Sequence, residues 1–563
     1  MGNDSSEICN LVVDLLAQHG VSEAVVSPGS RNAPILVALA RTHHAIRTTC
    51  VIDERCAAFV ALGMASTSGC PVALVCTSGS AMLNYAPAIA EAYYRCVPLI
   101  VVSADRSEEM IDQDDSQTIR QRGALDNIVK RSYDIGYLIT AEKQWYANRV
   151  VNDAIIMATS GRRGPVHINV QIDNPVYSVH EERPQRMISL LAPQRSLSAE
   201  VLTDIAGRLS ESKKVLIVAG FMEPSPELNK ALRRMANMPN VVVMCETIAN
   251  LHSQDFISSI DSVLSIMTAE ERSALSPDVV LTLGGALVSR MIKQYLRAAE
   301  VKEHWHVGVT STTVDCLKHL TMRIDMEPSD FFVELVSAMS ADGEVTSDYA
   351  RRWRTLADKA FSLHQSYVMR SPWSDMKAFH VVLPKIPRGW NVQFSNGTPI
   401  RYAQLFAREY HRCDCNRGVS GIDGCTSTAI GASLAAPERT TLLVTGDMSA
   451  SYDLGALSMR CVTNRMKIVV IRNGGGGIFR FVESTRVLSE VEELFCVEPK
   501  LPLKELACGY GWNFYTAETE VSLRAVLPDF MADTERPSIL EINTPSEVSA
   551  EVLRGYFKRA ELS

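Results

Sequence analysis

The sequence predicts an α/β protein made of three sequential doubly wound domains with mostly parallel sheets. Short, uninterrupted apolar runs recur along it, as strands buried on both faces of a parallel sheet require. Amphipathic helical patterns separate these runs, which is the alternation of a βαβ layout. At 563 residues the chain also exceeds what one hydrophobic core organises.

In the first third, residues 24–26, 72–76, 98–102 and 166–170 read as buried strands, with one helix over 81–95. Residues 178–198 are rich in Pro, Gln, Ser and charge and read as a linker. A second α/β unit follows, with strands at 213–220, 240–247, 278–285 and 304–309. Residues 342–380 are polar and helical, a second connector. The third unit has strands at 440–446, 467–473 and 538–543, with a helix from about Asp453. These patterns place the domains at 1–180, 195–345 and 381–563.

Hydrophobic residues at 46% and charged residues at 21% are normal for a soluble globular protein. A net charge of -8 argues against nucleic acid as the partner, because phosphate backbones call for a basic surface. No apolar run approaches the ~20 residues that span a bilayer, so no membrane insertion is expected. The N-terminus is polar and lacks an apolar leader region, so the expected location is cytoplasmic. Its Met-Gly-Asn-Asp-Ser-Ser start fits the loose myristoylation pattern, a match common by chance. The 14 cysteines are scattered apart from Cys413 and Cys415, without zinc-ligand spacing, and suit a reducing compartment.

The strongest chemical signal lies in the third unit. One strand ends in Gly446-Asp447-Met448-Ser449, and the next ends in Asn473 followed by four glycines, 474–477. The 26-residue gap from Asp447 to Asn473 is one helix plus one strand, so both fall at carboxyl ends of strands, where open α/β sheets bind ligands. A carboxylate, an amide oxygen and a backbone carbonyl at Gly475 are hard donors suited to Mg2+, with Mn2+ also accommodated. The helix start after Ser449 and the glycine-loop amides suit a diphosphate. Taken singly, Asp447 would read as a helix cap; paired with Asn-Gly-Gly-Gly-Gly at this distance, the binding reading prevails.

At this point the chain resembles thiamine diphosphate enzymes, whose signature is Gly-Asp, a gap of this size, then Asn. The resemblance implies a glutamate from a pyrimidine-binding first domain, matched by Glu54 in "DER". Such a carboxyl group, bonded to pyrimidine N1', favours the imino tautomer, which can take the proton from the thiazolium carbon. In the family this glutamate comes from the partner subunit, implying a homodimer, possible assembly of dimers into a tetramer included. Ile422, in "NRGVSGIDG", matches the bulky aliphatic residue that wedges the cofactor into its bent form. Ser395 and Asn396 lie on a loop matched to cofactor contact, as do Gly446, Met448, Ser449, Ile478 and Phe479.

A narrower resemblance covers nearly the whole chain. "SPGSRNAP", "DER", "SADR", "SQTIRQ", "GPVHIN", "NRGVSGIDG", "GDMSASYDLGAL" and "GGIF" occur in one order. Together they resemble the 2-succinyl-5-enolpyruvyl-6-hydroxy-3-cyclohexene-1-carboxylate synthase family of menaquinone biosynthesis. The resemblance implies pyrimidine-binding, central and diphosphate-binding domains in that order. It also implies decarboxylation of 2-oxoglutarate and conjugate addition of the remaining four-carbon unit to isochorismate. The alternatives are another thiamine diphosphate-dependent 2-oxo acid carboligase, or a non-catalytic protein of the same fold.

Both substrates carry two carboxylates, so a protein of net negative charge must concentrate arginine locally. Matching positions supply Arg31, Arg106, Arg290, Arg401 and Arg417, with Arg290 on the loosest match. Ser30 and Gln117 are matched as hydrogen-bonding groups beside the substrate carboxylates or the reacting carbonyl. Arg472 and Gly474 flank Asn473 where the family tends to carry asparagine, which is expected to loosen that loop; Ser107 stands where proline is common. No histidine reads as a catalytic base, and His167 reads as a strand residue.

Overall fold

The computed structural model describes residues 5–41, 45–138, 140–172, 184–193, 195–339, 345–406 and 409–559. The first sheet comprises β1 (Glu23–Val26), β2 (Arg47–Cys50), β3 (Val72–Cys76), β4 (Leu99–Asp105), β5 (Ser132–Ile135) and β6 (Val166–Gln171). Its order is β2-β1-β3-β4-β6-β5, with every neighbour parallel. The second contains β7 (Val215–Ala219), β8 (Val241–Cys245), β9 (Val279–Leu283), β10 (Glu303–Val307) and β11 (Leu320–Ile324), ordered β11-β10-β9-β7-β8. The third contains β12 (Asn391–Phe394), β13 (Arg412–Asp414), β14 (Thr441–Gly446), β15 (Met466–Arg472), β16 (Asn513–Ala517) and β17 (Ser538–Asn543). Its order, β13-β12-β14-β15-β17-β16, repeats that of the first sheet. Three parallel α/β sheets in sequence are what the sequence predicts.

Two helices differ from expectation. The single helix expected over 81–95 is two, Ser80–Asn84 and Ala86–Arg95. Pro87 stands in the first turn of the second, where a residue without an N–H is tolerated, and it cannot continue an earlier helix. Tyr85 fills the break, fully buried, its hydroxyl donating to the Val75 carbonyl at 2.9 Å. The helix expected from about Asp453 begins earlier, as Asp447–Tyr452, and Leu454–Ser458 forms a 3-10 turn instead. The extended backbone of Gly446 ends β14 and lets Asp447 open the helix at once, its carboxylate matched to the amide end.

One apolar core runs unbroken from the first sheet (Leu74, Val101) to the third (Leu443, Ile468). Its centre is the contact between the helices Glu54–Ser68 and Cys425–Ala435. A Cβ on Gly63 would lie 2.0 Å from the Thr428 carbonyl oxygen, and one on Gly431 would lie 2.0 Å from that of Val60. Glycine is therefore what brings the two backbones together. The helix Tyr349–Arg370 ties the second sheet to the third, burying Trp353 in one core and Val368 in the other. The helix Asp375–Val382, which begins ahead of position 381 and runs across it, also packs in the third sheet's core.

The first four residues of the acylation pattern lie outside the described residues, as does part of the 178–198 linker. All 14 cysteines are free. Among the described residues no helix is long and apolar enough to cross a membrane.

Candidate cofactor and substrate site

Asp447 is the first residue after β14, buried with 3% exposure. One carboxylate oxygen accepts from the Met448 amide at 2.8 Å, the other from Gly475 at 2.9 Å and Asn473 at 3.2 Å. Burial raises its pKa, and these amides oppose the rise. The carboxylate thus shapes the glycine loop around itself. Gly474, Gly475 and Gly476 all have positive φ (81°, 75°, 62°), and a Cβ on Gly475 would lie 2.5 Å from the Val497 carbonyl oxygen.

Asn473 lies one residue past β15, buried, with its side-chain NH2 donating to Asp375 at 2.9 Å. Asp375 also accepts from Thr544 at 2.6 Å and Ser549 at 3.2 Å. With its NH2 so engaged, the Asn473 amide oxygen is directed elsewhere, and it accepts no hydrogen bond among the described residues. Arg472 projects away from this amide, towards Glu541 and the Leu501 carbonyl, both at 3.3 Å. It ties the loop to β17, so the expected loosening does not follow from Arg472.

The donors gathered here are all oxygens: the Asp447 carboxylate, the Asn473 amide and the Gly475 carbonyl, whose contact with Arg480 is long at 3.5 Å. A Cβ at Gly446 or Gly474 would meet nothing within 4 Å, so there is room in front of both. Hard donors, a loop of bare amides and free space fit a divalent cation held with a diphosphate.

Hydrogen bonds link this loop to a group of arginines. Ser449 donates to the Ile422 carbonyl at 2.8 Å, and Asn396, following β12, donates to the Gly421 carbonyl at 2.7 Å. Asn396 also donates to the Asn416 carbonyl at 2.5 Å and accepts from Arg417 at 3.0 Å. Its neighbour Ser395 is fully buried. Arg417 Nε is buried without a partner among the described residues. Burial lowers the pKa of Arg401, as do the nearby Arg290 and Arg417 cations. Like charges held this close favour an anion between them. Ile478 and Phe479 stand on the 3-10 turn Gly477–Arg480, with Phe479 against Phe495 at 5.3 Å between ring centres.

Two residues that sequence reasoning missed border the arginines. Glu246, after β8, is buried and accepts from the amides of Val288 and Ser289 at 2.8 and 2.7 Å. Burial pushes its pKa up to about 7. Lys293, one helical turn beyond Arg290, donates to the Leu287 carbonyl at 3.0 Å, and burial lowers its pKa. A lysine in "SRMIKQ" carries no signal of its own; only the fold brings it beside Glu246.

The remaining candidates sit at the carboxyl end of the first sheet. Asn32, fully buried, builds the turn after β1, accepting from the Gly29 amide and donating to the Ser27 carbonyl, each at 2.9 Å. Gly29 is required there, because a Cβ would lie 2.5 Å from the Thr77 side chain. Ser30 is left exposed, and Arg31 donates to the Ile172 carbonyl at 2.8 Å. Arg106 pairs with Asp115 at 2.8 Å, and its amide donates to Asp105, whose carboxylate also lies near Arg31. Gln117 is exposed with φ 55°, its backbone 3.5 Å from where a Gly79 Cβ would lie. Ser107 is buried and closes the 3-10 turn that follows β4.

Glu54 opens the helix Glu54–Ser68, capped by Asp53, which accepts from the Cys56 amide. Its charge is felt by Cys76 at the end of β3 and by Tyr85 in the break between the next two helices, and no cation pairs with it among the described residues. No hydrogen bond or ion pair joins it to Asp447 or Asn473 of its own chain among the described residues. His167 is a buried strand residue 2.7 Å from Ser103, its pKa lowered to about 4 by burial.

Three family models match in the same order as the sheets. Residues 7–126 match the N-terminal TPP binding domain of thiamine pyrophosphate enzymes, 193–380 the middle domain, and 401–542 the C-terminal TPP binding domain. Over 561 residues the chain is 40% identical to the 2-succinyl-5-enolpyruvyl-6-hydroxy-3-cyclohexene-1-carboxylate synthase of Porphyromonas gingivalis, covering 97% of this chain and 96% of that one. It is 36% identical to synthases of the same name from Flavobacterium psychrophilum (97% and 98% covered) and Christiangramia forsetii (98% and 98%). Full-length similarity of this order, with both TPP binding domains present, places the chain in the family of thiamine diphosphate-dependent 2-succinyl-5-enolpyruvyl-6-hydroxy-3-cyclohexene-1-carboxylate synthases.

Proposed function

We propose that the protein condenses 2-oxoglutarate with isochorismate, releasing CO2 and forming 2-succinyl-5-enolpyruvyl-6-hydroxy-3-cyclohexene-1-carboxylate for menaquinone biosynthesis in the cytoplasm. The domains are 1–180 for the pyrimidine, 195–345 centrally and 381–563 for the diphosphate. One observation carries the reading most directly. The chain of hydrogen bonds through Arg417, Asn396, Gly421, Ile422 and Ser449 joins an arginine cluster to the Asp447 helix. A diphosphate-cation site therefore adjoins a site for carboxylates.

Bound there, thiamine diphosphate supplies a nucleophilic carbon and an electron sink for loss of CO2 from a 2-oxo acid. Asp447, Asn473 and the Gly475 carbonyl hold Mg2+ or Mn2+, and Gly446, Met448 and Ser449 border the diphosphate. Ser395, Asn396, Ile422, Ile478 and Phe479 enclose the cofactor's ring portion. The partner subunit's Glu54 holds a proton at pyrimidine N1', so the working unit is a homodimer. Arg290, Arg401 and Arg417 take substrate carboxylates on one side and Arg31 and Arg106 on the other, with Ser30 and Gln117 at the reacting carbonyl.

The deciding assay combines the protein with thiamine diphosphate, Mg2+, 2-oxoglutarate and isochorismate, following CO2 and the coupled product. Coupled product is expected; its absence, or a preference for pyruvate over 2-oxoglutarate, overturns the reading.

A further inference from the structure

Arg417 needs an explanation beyond its own contacts, because it sits on the irregular segment between β13 and the helix Cys425–Ala435. A long side chain on an irregular loop is a poor point of reference for a substrate unless the backbone beneath it is fixed. Glu91, a first-domain residue on the helix Ala86–Arg95 with 1% exposure, does the fixing. Its two carboxylate oxygens accept from the amides of Gly418 at 2.8 Å and Val419 at 2.7 Å, the two residues after Arg417.

One helical turn on, Arg95 grips the residues before it, donating to Asn416 at 3.3 Å and Asp414 at 3.1 Å. Gly418 is pressed against the same helix, where a Cβ would lie 2.7 Å from the Glu91 carbonyl oxygen. A single face of one first-domain helix thus clamps the third-domain backbone on both sides of Arg417. Its guanidinium is left to Asn396 on one nitrogen, with Nε unpartnered among the described residues.

We infer that Glu91 is a positioning residue, holding the 416–419 backbone so that Arg417 meets a substrate carboxylate in one orientation. The inference rests on the function proposed above for Arg417. Glu91→Gln keeps the shape of the side chain but turns an NH2 against one of the two amide donors. In the full-length holoenzyme, KM for one dicarboxylate substrate should rise about tenfold, the scale of one charge-assisted hydrogen bond, while kcat and thiamine diphosphate affinity hold.

The effect should also vanish in an Arg417→Ala background, because a group acting through Arg417 has nothing left to position. Unchanged KM for both substrates, or fully additive losses in the double variant, overturns the inference. Should Glu91→Gln fail to fold, Gly418→Ala disturbs the same contact without touching the charge, and the same KM rise is expected of it. Amide exchange at Gly418 and Val419 requires no turnover. Loss of protection there alone is expected in Glu91→Gln, and unchanged protection overturns the inference whatever the unmutated protein catalyses.

Discussion

Asp375→Leu tests how the cation site is oriented. Asp375 is 2% exposed and accepts from three side-chain donors: Thr544 at 2.6 Å, Asn473 at 2.9 Å and Ser549 at 3.2 Å. Asn473 bonds one carboxylate oxygen and the two hydroxyls bond the other, so an asparagine there could still serve all three, whereas a leucine of similar shape offers no acceptor. A buried donor left without an acceptor costs about 1–3 kcal/mol. Asn473 escapes that cost by turning its amide over, which points its NH2, not its oxygen, at the cation. Losing such an outer partner typically weakens metal affinity by about 10–100-fold. Mg2+ titration of the variant saturated with thiamine diphosphate, followed by intrinsic fluorescence, should show this loss with the fold retained in circular dichroism. An unchanged Mg2+ midpoint refutes the claim that Asp375 sets the amide.

Glu54→Gln should retain thiamine diphosphate binding and lose about 10²–10⁴-fold in kcat, the usual contribution of a proton-transferring group; undiminished turnover removes Glu54 from the chemistry. Gly431→Ala places a methyl 2.0 Å from the Val60 carbonyl oxygen, so calorimetry should find a stability loss of at least about 1–3 kcal/mol. Because that contact lies in the core joining the first and third sheets, a Tm equal to that of the parent would contradict the packing. Glu246 titrates near 7 when folded against an ordinary 4.5, so the folded state binds its proton more tightly than the unfolded chain. The stability this lends is fully present below about 4.5 and lost as pH rises through about 7, on the order of 3 kcal/mol. Chemical denaturation across that window should show the decline, flattened in Glu246→Gln; an equally steep decline in the variant would assign it to other groups.

The parallel sheets were legible because central strands such as β3 and β14 are continuous apolar runs. The edges were not: β2 is Arg-Thr-Thr-Cys with three of four residues exposed, and β13 is only three residues long. Such strands exist because a neighbour's edge needs pairing, which no local pattern reveals. At the site, Asp447 and Asn473 were legible through glycines and a fixed spacing. Asp375 stands 98 positions before the amide it holds, and Glu91 stands 327 before the amide of Gly418, in helices that read as ordinary amphipathic segments. Groups that act on other groups leave their mark only in three dimensions.

The shared strand order of the first and third sheets has a counterpart in the contact between them. Gly63 meets Thr428 and Val60 meets Gly431; Phe59 covers Gly424, and Cys56 lies beside Ser427. Adding 368 to 56, 59, 60 and 63 gives 424, 427, 428 and 431, the other four contact residues. Each contact is therefore reciprocal, as a local twofold axis between two copies of one fold demands. Just ahead of this contact, the same shift carries Glu54 onto Ile422, so a carboxylic acid in the first domain matches an aliphatic side chain in the third. The helices after β3 and β14 both begin behind a glycine, Gly79 and Gly446. The residue that follows is Ser80 in the first domain and Asp447 in the third, the buried carboxylate that organises a glycine loop. Two copies of one scaffold have thus been given different polarity at matching points, so neither alone offers both the acid of Glu54 and the oxygen donors around Asp447.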